Sequence, residues 1–132
     1  VARRTFHLPY FDADMTVTPH REGVAYASWR THRGGGTAEW VGRYEPAGPV
    51  YRSLPGTLDH WLTERYRLFA ADRAGRLWRG EIEHSPWPLQ AARAEFQSLN
   101  MTRWMGVHLP DEPPPLLFAR KLNVRASRLL PA

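Results

Sequence analysis

The sequence YRLFAADRAGRLWRGEIEH, from Tyr66 to His84, decides the fold. Its centre, Asp72-Arg73-Ala74-Gly75, is a turn sequence with glycine at a position that tolerates positive φ. We therefore predict an antiparallel hairpin of two strands, Tyr66 to Ala71 and Leu77 to His84. The prolines on both sides of Trp87 end the second strand, since proline has no N–H to donate to a sheet.

The two faces of the second strand differ in chemistry. Arg79, Glu81 and Glu83 share one face, a pattern typical of a solvated surface with a cross-strand arginine partner. Trp78 and His84 share the other face, which is predicted to point inward.

Strand patterns also dominate the first third of the chain. Alternation from Met15 to His20, from Val24 to Thr31 and from Ala38 to Tyr44 predicts an antiparallel meander. In the middle segment the face with Trp29 is less polar than the opposite face, so Trp29 is expected to point inward.

One helix is predicted between the meander and the hairpin. Thr57 is its expected N-cap, and the helix is expected to end near Tyr66. Leu58, Trp61 and Leu62 follow helical spacing, so this apolar stripe is expected to lie on the sheet.

The remaining segments add strands from Leu89 to Phe96 and from Leu116 to Leu129. The predicted class is mostly β (α+β), an antiparallel β-barrel or half-barrel with one short helix, over a single domain of residues 1–132.

Composition excludes several kinds of protein. The 132 residues include no cysteine, which excludes disulfide scaffolds, zinc ribbons and thiol nucleophiles. The six histidines are never closer than 12 residues, so no local metal-ligand pair exists and we expect neither metal nor cofactor. No signal peptide or membrane span is recognisable, and a cytoplasmic protein is expected.

The net charge of +5 and the six tryptophans suggest a second class of function. Basic, aromatic surfaces bind single-stranded nucleic acid by phosphate contact and base stacking. Because the tryptophans are spread along the chain and Trp29, Trp61 and Trp78 are predicted to point inward, a role in the core or in a pocket is favoured.

The stretch from Gly56 to Gln90 resembles the YqjF-like family of uncharacterised bacterial proteins. Its most specific pieces are LTERYRLF, from Leu62 to Phe69, and RGEIEHSPWPLQ, from Arg79 to Gln90. LPYFDADM near the start and LPDEPPPLLFARKLNV near the end extend the resemblance over most of the chain. It implies a fold like that of acetoacetate decarboxylase, a β-barrel with a central cavity.

Members of that family are longer, so the resemblance implies that this chain is the C-terminal part of a YqjF-like protein. We then expect exposed strand edges to be covered by a homodimer or by the missing N-terminal half.

The resemblance also bears on the chemistry. The decarboxylase carries its Schiff-base lysine in a Phe-Pro-Lys-Lys segment, and the nearest counterpart here is Leu8-Pro9-Tyr10-Phe11, which has no amine. The sole lysine, Lys121, lies in a different predicted strand. Lysine-dependent decarboxylation is therefore not expected, and whether the protein is an enzyme stays open.

We expect a small organic acid or ketone to bind inside an aromatic cavity. The candidate lining residues are Tyr10, Glu64, Arg65, Tyr66, Trp78 and His84. The alternatives are a basic, tryptophan-rich nucleic-acid-binding module and an enzyme that uses Glu64, Glu81 or His84 for acid–base catalysis.

Overall fold

The computed structural model describes residues 6–8, 10–108 and 110–132. The secondary-structure elements, in chain order, are β1 Ala13–Pro19, β2 Val24–Arg30, β3 Glu39–Pro46, α1 Leu58–Thr63, β4 Arg67–Ala71, β5 Leu77–His84, β6 Gln90–Leu99, a 3-10 helix Arg103–Met105, β7 Leu117–Phe118, β8 Val124–Ala126 and β9 Leu130–Pro131. The predicted mostly β class with one short α-helix is confirmed.

The chain divides into two compact units. Unit 1 contains the described residues up to Tyr10, together with Val50–Leu89 and Ala119–Ala132. Unit 2 contains Phe11–Pro49 and Gln90–Phe118. Each unit is described separately, and the assignment of residues 1–132 to a single domain stays a prediction.

Unit 2 is a five-stranded antiparallel sheet in the order β1-β2-β3-β6-β7. The predicted meander is confirmed in β1 to β3. A β-bulge between Val41 and Gly42 shifts the register of β3 against β6. Gly42 is buried, and a Cβ there would lie 2.5 Å from the carbonyl oxygen of Glu95, so this close approach of two strands requires glycine.

The two faces of the unit 2 sheet have opposite character. The strand register places a set of large apolar side chains on one side, here called the aromatic face: Met15, Val17, Tyr26, Trp40, Tyr44, Phe96 and Phe118. The ring of Trp40 makes edge-on contacts with Tyr26 at 5.0 Å and Phe96 at 5.4 Å between centroids. The opposite side, the charged face, carries Asp14, Glu39, Arg43, Glu45, Arg93 and Glu95.

The predicted inward orientation of Trp29 is wrong. Trp29 lies on the charged face between its cross-strand neighbours Asp14 and Glu39, and it is 42% exposed. The alternation within β2 gave the wrong face because the two alanines on the side of Trp29 are less polar than the residues on the opposite side. The aromatic face is set by Trp40 and Phe96 on the neighbouring strands.

Unit 1 is built around the predicted hairpin of β4 and β5, which is confirmed. β8 pairs with one end of β5 and β9 with the other. The single C-terminal strand or bent pair predicted from Leu116 to Leu129 is instead divided into β7 of unit 2 and β8 of unit 1, and β9 follows that range. Leu89 is the most deeply buried large side chain of the described residues, at 1% exposure.

Asp72 closes the hairpin turn. One carboxylate oxygen accepts hydrogen bonds from Ala74 N at 2.9 Å and Arg76 N at 3.0 Å. The other accepts from Arg76 Nε at 2.8 Å and Trp78 Nε1 at 3.2 Å. Desolvation opposes ionisation, but these bonds outweigh it and lower the pKa of Asp72 to about 2. Gly75, with φ of 78°, supplies the left-handed residue of the turn.

The helix α1 begins as predicted but does not present its apolar stripe to the sheet. Thr57 is the N-cap, and its Oγ1 accepts from His60 N at 3.3 Å. Leu58 is 57% exposed and Trp61 is 62% exposed, so the expected packing is wrong. The polar side of the helix is held instead, because Tyr51 Oη donates to Asp59 at 2.6 Å.

Neither sheet closes into the expected barrel within the described parts of the chain. β1 and β7 are the edges of the unit 2 sheet, while β4 and β8 are the ends of the unit 1 order. The hairpin of β4 and β5 pairs with β8 and β9 in a sheet of its own and does not extend the meander. Among the described residues, no helix is long and apolar enough to cross a membrane.

Candidate functional site

A cluster of four side chains lies where β5 ends in unit 1. We call Glu64, Tyr66, His84 and Trp87 the carboxylate–aromatic cluster. The rings of Tyr66 and His84 stack with centroids 4.5 Å apart and planes 18° apart. The ring of Trp87 meets His84 edge-on at 6.0 Å. Ile82 N donates to Tyr66 O at 2.9 Å and thereby brings the start of the hairpin next to its end.

Glu64 is the polar centre of this cluster. One of its oxygens accepts a hydrogen bond from Tyr66 Oη, and the other accepts from Trp87 N at 3.1 Å. Desolvation opposes ionisation, but these two bonds and the nearby histidines outweigh it and lower the pKa of Glu64. The same contact with Glu64, followed by desolvation, raises the pKa of Tyr66. At neutral pH the pair is therefore a carboxylate and a neutral phenol.

Both ring nitrogens of His84 face backbone carbonyl oxygens. Nδ1 lies 2.8 Å from Ser85 O, and Nε2 lies 3.2 Å from Arg65 O. A neutral imidazole has one N–H and donates to only one of these oxygens, whereas an imidazolium donates to both. The ring is thus fixed in orientation by the chain on either side of it.

An open cavity of about 520 Å³ adjoins His84. Its lining residues are Glu83, His84, Leu122, Asn123, Val124 and Arg125. The pairing of β5 with β8 creates it, because this register places Val124 opposite His84 and Arg125 opposite Glu83. Because neighbouring residues of a strand face opposite sides, Arg125 shares a face with Glu83 and Val124 shares a face with His84.

The indole N–H of Trp87 is buried and has no hydrogen-bond partner among the described residues. Buried polar groups are nearly always paired, so a lone donor of this kind needs an explanation. The backbone N–H of the same residue is held by Glu64, and the indole ring abuts His84. Trp87 therefore supports the cluster through its backbone N–H and its ring, while its indole N–H has no partner among the described residues.

The structure brings together three of the six predicted site residues, Glu64, Tyr66 and His84. The guanidinium of Arg65 instead stacks on the ring of Trp61, with its carbon 4.1 Å from the ring centroid. Only the backbone oxygen of Arg65 reaches His84.

Trp78 and Tyr10 lie apart from the cluster. Trp78 is six residues before His84 on β5, donates its indole N–H to Asp72, and lies with its ring 5.6 Å from His7. Tyr10 is 58% exposed, and its backbone N–H donates to Leu8 O at 2.8 Å. Pro9, in the segment compared with the decarboxylase lysine motif, lies outside the described residues.

Six residues of the cluster and the cavity were not predicted from the sequence: Glu83, Trp87, Leu122, Asn123, Val124 and Arg125. Trp87 between two prolines is a rigid aromatic element, and that pattern was available as a signal. Asn123 and Arg125 carried no local signal, because β8 reaches β5 from about 40 residues further along the chain.

Other charged groups are placed differently. Glu81 is flanked by Arg67 Nε at 3.6 Å and Arg79 Nε at 3.5 Å, the solvated arrangement expected for that face.

A groove of about 430 Å³ on the charged face of unit 2 includes Arg43, Glu45, Arg93 and Glu95, and it contains none of the predicted site residues. Across the described ranges, no group of three potential metal-ligating side chains occurs.

Comparison with known proteins places the chain in a family. The model of DUF2071, an uncharacterized conserved protein family, matches residues 1–123. The chain belongs to this family. It is 38% identical over 123 residues to the uncharacterized protein YqjF of Bacillus subtilis (strain 168), which confirms the YqjF-like resemblance.

The alignment with the Bacillus protein covers the two chains unequally. The alignment includes 93% of this chain and 50% of the Bacillus protein, so the chain spans about half the length of the curated relative it matches. No solved structure matches the chain.

Proposed function

We propose that this DUF2071 chain binds a small organic acid or ketone in the cavity beside His84. The observation that carries the proposal is one open cavity lined by His84 of β5 and by Asn123 and Arg125 at β8, with Arg125 on the same face as Glu83. A guanidinium pairs with carboxylates through parallel N–H donors, and an amide N–H₂ donates equally well to a ketone oxygen. The apolar side chains of Leu122 and Val124 suit a short carbon chain.

The carboxylate of Glu83 on the same lining sets a limit on ligand charge. Arg125 can match one negative charge on the ligand, but its cross-strand partner Glu83 lies on the same face and opposes further negative charge. We therefore expect monocarboxylates to bind better than dicarboxylates.

We also propose a decarboxylase-like fold without the lysine chemistry. The antiparallel, mostly β architecture is consistent with this kinship, and the family resemblance suggests it. An imine to a ketone requires an amine, and Tyr10 and Phe11 provide none. Lys121 is exposed and is not among the residues that line the cavity. Binding, or a reaction that does not use lysine, is what these side chains support.

The nucleic-acid alternative is less well supported. Trp29 is exposed but lies between Asp14 and Glu39, whose carboxylates repel phosphates. The exposed rings of Trp61 and Trp104 each carry an arginine guanidinium from the same unit, at 4.1 and 4.6 Å from the ring centroid. A base would have to displace that arginine in order to stack.

The acid–base alternative depends on the position of Glu64. Catalysis by a carboxylate and a histidine needs both groups to face one cavity. His84 lines the cavity, whereas Glu64 is not in its lining and has both oxygens engaged by Tyr66 and Trp87. These contacts favour a structural role for Glu64.

Isothermal titration calorimetry with acetoacetate, acetate, acetone and malonate tests the proposal. We expect binding of the monocarboxylates, weaker binding of malonate, and about a tenfold loss of acetoacetate affinity in Arg125→Gln, the loss of one charge-assisted contact. Arg120→Gln, outside the cavity lining, is the matched control and should bind like wild type. Equal affinity in both variants would overturn the site, and salt-sensitive binding of a single-stranded oligonucleotide without any acid binding would favour the alternative.

A further inference from the structure

The aromatic face of unit 2 carries several exposed apolar side chains. Met15 is 63% exposed, Val17 is 56% exposed and Phe96 is 36% exposed. These side chains surround the half-buried rings of Tyr26 and Trp40, and Tyr26 Oη lies 3.3 Å from Met15 Sδ. The surface is therefore continuous across β1, β2, β3 and β6.

A sheet with one charged face and one apolar face normally buries the apolar face. Four strands spaced about 4.8 Å apart, each about 23 Å long, give a flat area of about 440 Å². Monomeric proteins seldom expose a continuous apolar patch of more than a few hundred Å². Two such faces packed together bury about 900 Å² before side-chain relief is counted, which is below the roughly 1,200 Å² at which specific interfaces begin, so side-chain relief or further contacts must supply the rest.

We propose that the aromatic face is the docking surface for a segment equivalent to the half of the Bacillus relative that lies outside the alignment with this chain. The 123 matched residues are 50% of the Bacillus protein, so as much chain again is present in that relative. That length is sufficient for a second sheet of this size. The apolar character of the face requires an apolar sheet or helix face as its partner, with no buried charge opposite Trp40 and Phe96.

The first test uses the full-length Bacillus protein, in which both halves are present. Glutamates are introduced at the two positions aligned with Met15 and Val17, and thermal unfolding is compared with wild type. A control carries glutamates at the positions aligned with Thr16 and Thr18, which are on the same strand but on the charged face. We expect a lower unfolding midpoint for the first pair and little change for the control, because only the first pair buries charge.

The second test uses this chain itself, co-expressed with the unmatched half of the Bacillus protein as a separate polypeptide. Light scattering after gel filtration should detect a one-to-one complex. Met15→Glu with Val17→Glu should weaken it at least about tenfold, while Thr16→Glu with Thr18→Glu retains it.

Two results would overturn the proposal. One is an equal response of the full-length protein to both pairs of glutamates. The other is a homodimer of this chain that the Met15 and Val17 substitutions dissociate, with no binding of the unmatched half. The proposed organic-acid site beside His84 lies entirely in unit 1. Whether an organic acid binds there therefore does not decide whether the aromatic face of unit 2 is a docking surface.

Discussion

Glu64→Gln is expected to loosen the carboxylate–aromatic cluster by a predictable amount. The glutamine side-chain oxygen can accept from Tyr66 Oη or Trp87 N but no longer offers a charged acceptor to both. A hydrogen bond to a charged group contributes about 1.5–3 kcal/mol, and the partial exposure of Glu64 reduces this to about 1 kcal/mol. For a chain of this size that free energy corresponds to a decrease in Tm of about 4 °C.

The substitution also changes two titrations. The pKa of Tyr66 is raised chiefly by its hydrogen bond to Glu64, so Glu64→Gln should move that pKa back toward 10.0. The pKa of Glu64 is lowered in the folded state, so its contribution is complete above its ordinary pKa of 4.5 and is lost as pH falls through the lower, folded value. Wild type and variant should therefore converge in stability at acid pH.

Phenolate absorbance at 295 nm measures the tyrosine titration, with Tyr66→Phe identifying the signal of that ring. Differential scanning calorimetry between pH 2 and pH 8 measures the stability. Glu112→Gln changes an exposed carboxylate in a loop of unit 2 and is the matched control. An unchanged Tyr66 titration together with an unchanged Tm would refute the role assigned to Glu64.

Three further substitutions test the supports of each unit. Asp72→Ala should speed amide exchange in the β4–β5 hairpin at neutral pH; wild-type protection should itself be lost as pH falls from about 4 toward 2, because the pKa of Asp72 is about 2. Leu89→Ala empties a fully buried site and should reduce the free energy of unfolding by about 3 kcal/mol in urea titrations. The guanidinium of Arg30 lies 4.1 Å from the ring centroid of Phe11 and 4.6 Å from that of Trp104, so Arg30→Gln should cost about 1 kcal/mol and alter Trp104 fluorescence.

The hairpin was predictable because its information is local. Asp72 and Gly75 specify the turn through contacts within four residues, and the alternation of β5 fixes which side chains share a face. The Thr57 cap was predictable for the same reason. The turn and the helix cap can therefore be predicted from a few neighbouring residues, without the rest of the sequence.

Packing was not predictable where it depends on distant partners. The stripe of Leu58 and Trp61 has helical spacing, but the hydrogen bond between Tyr51 and Asp59 decides which side of the helix is held. Trp29 is on the charged face because the strand next to it presents Glu39 on that side. Periodicity alone contains neither fact.

The candidate site was predictable only in part, for a related reason. Tyr66 and His84 were predictable from their strand face, and the structure shows that the hairpin brings them together. Arg125 was not predictable, since its place beside Glu83 depends on how β8 pairs with β5. The interpretation of Trp78 as a neighbour of His84 took the shared face into account but not the length of strand between them.

The most direct test of the proposed ligand site is a ¹H–¹⁵N correlation spectrum of the wild-type chain titrated with acetoacetate. Saturable shifts should be confined to the amides of Glu83, His84 and 122–125, and they should be absent in Arg125→Gln. The absence of shifts at these amides, or shifts centred on Arg43 and Arg93 of the unit 2 groove, would contradict binding beside His84.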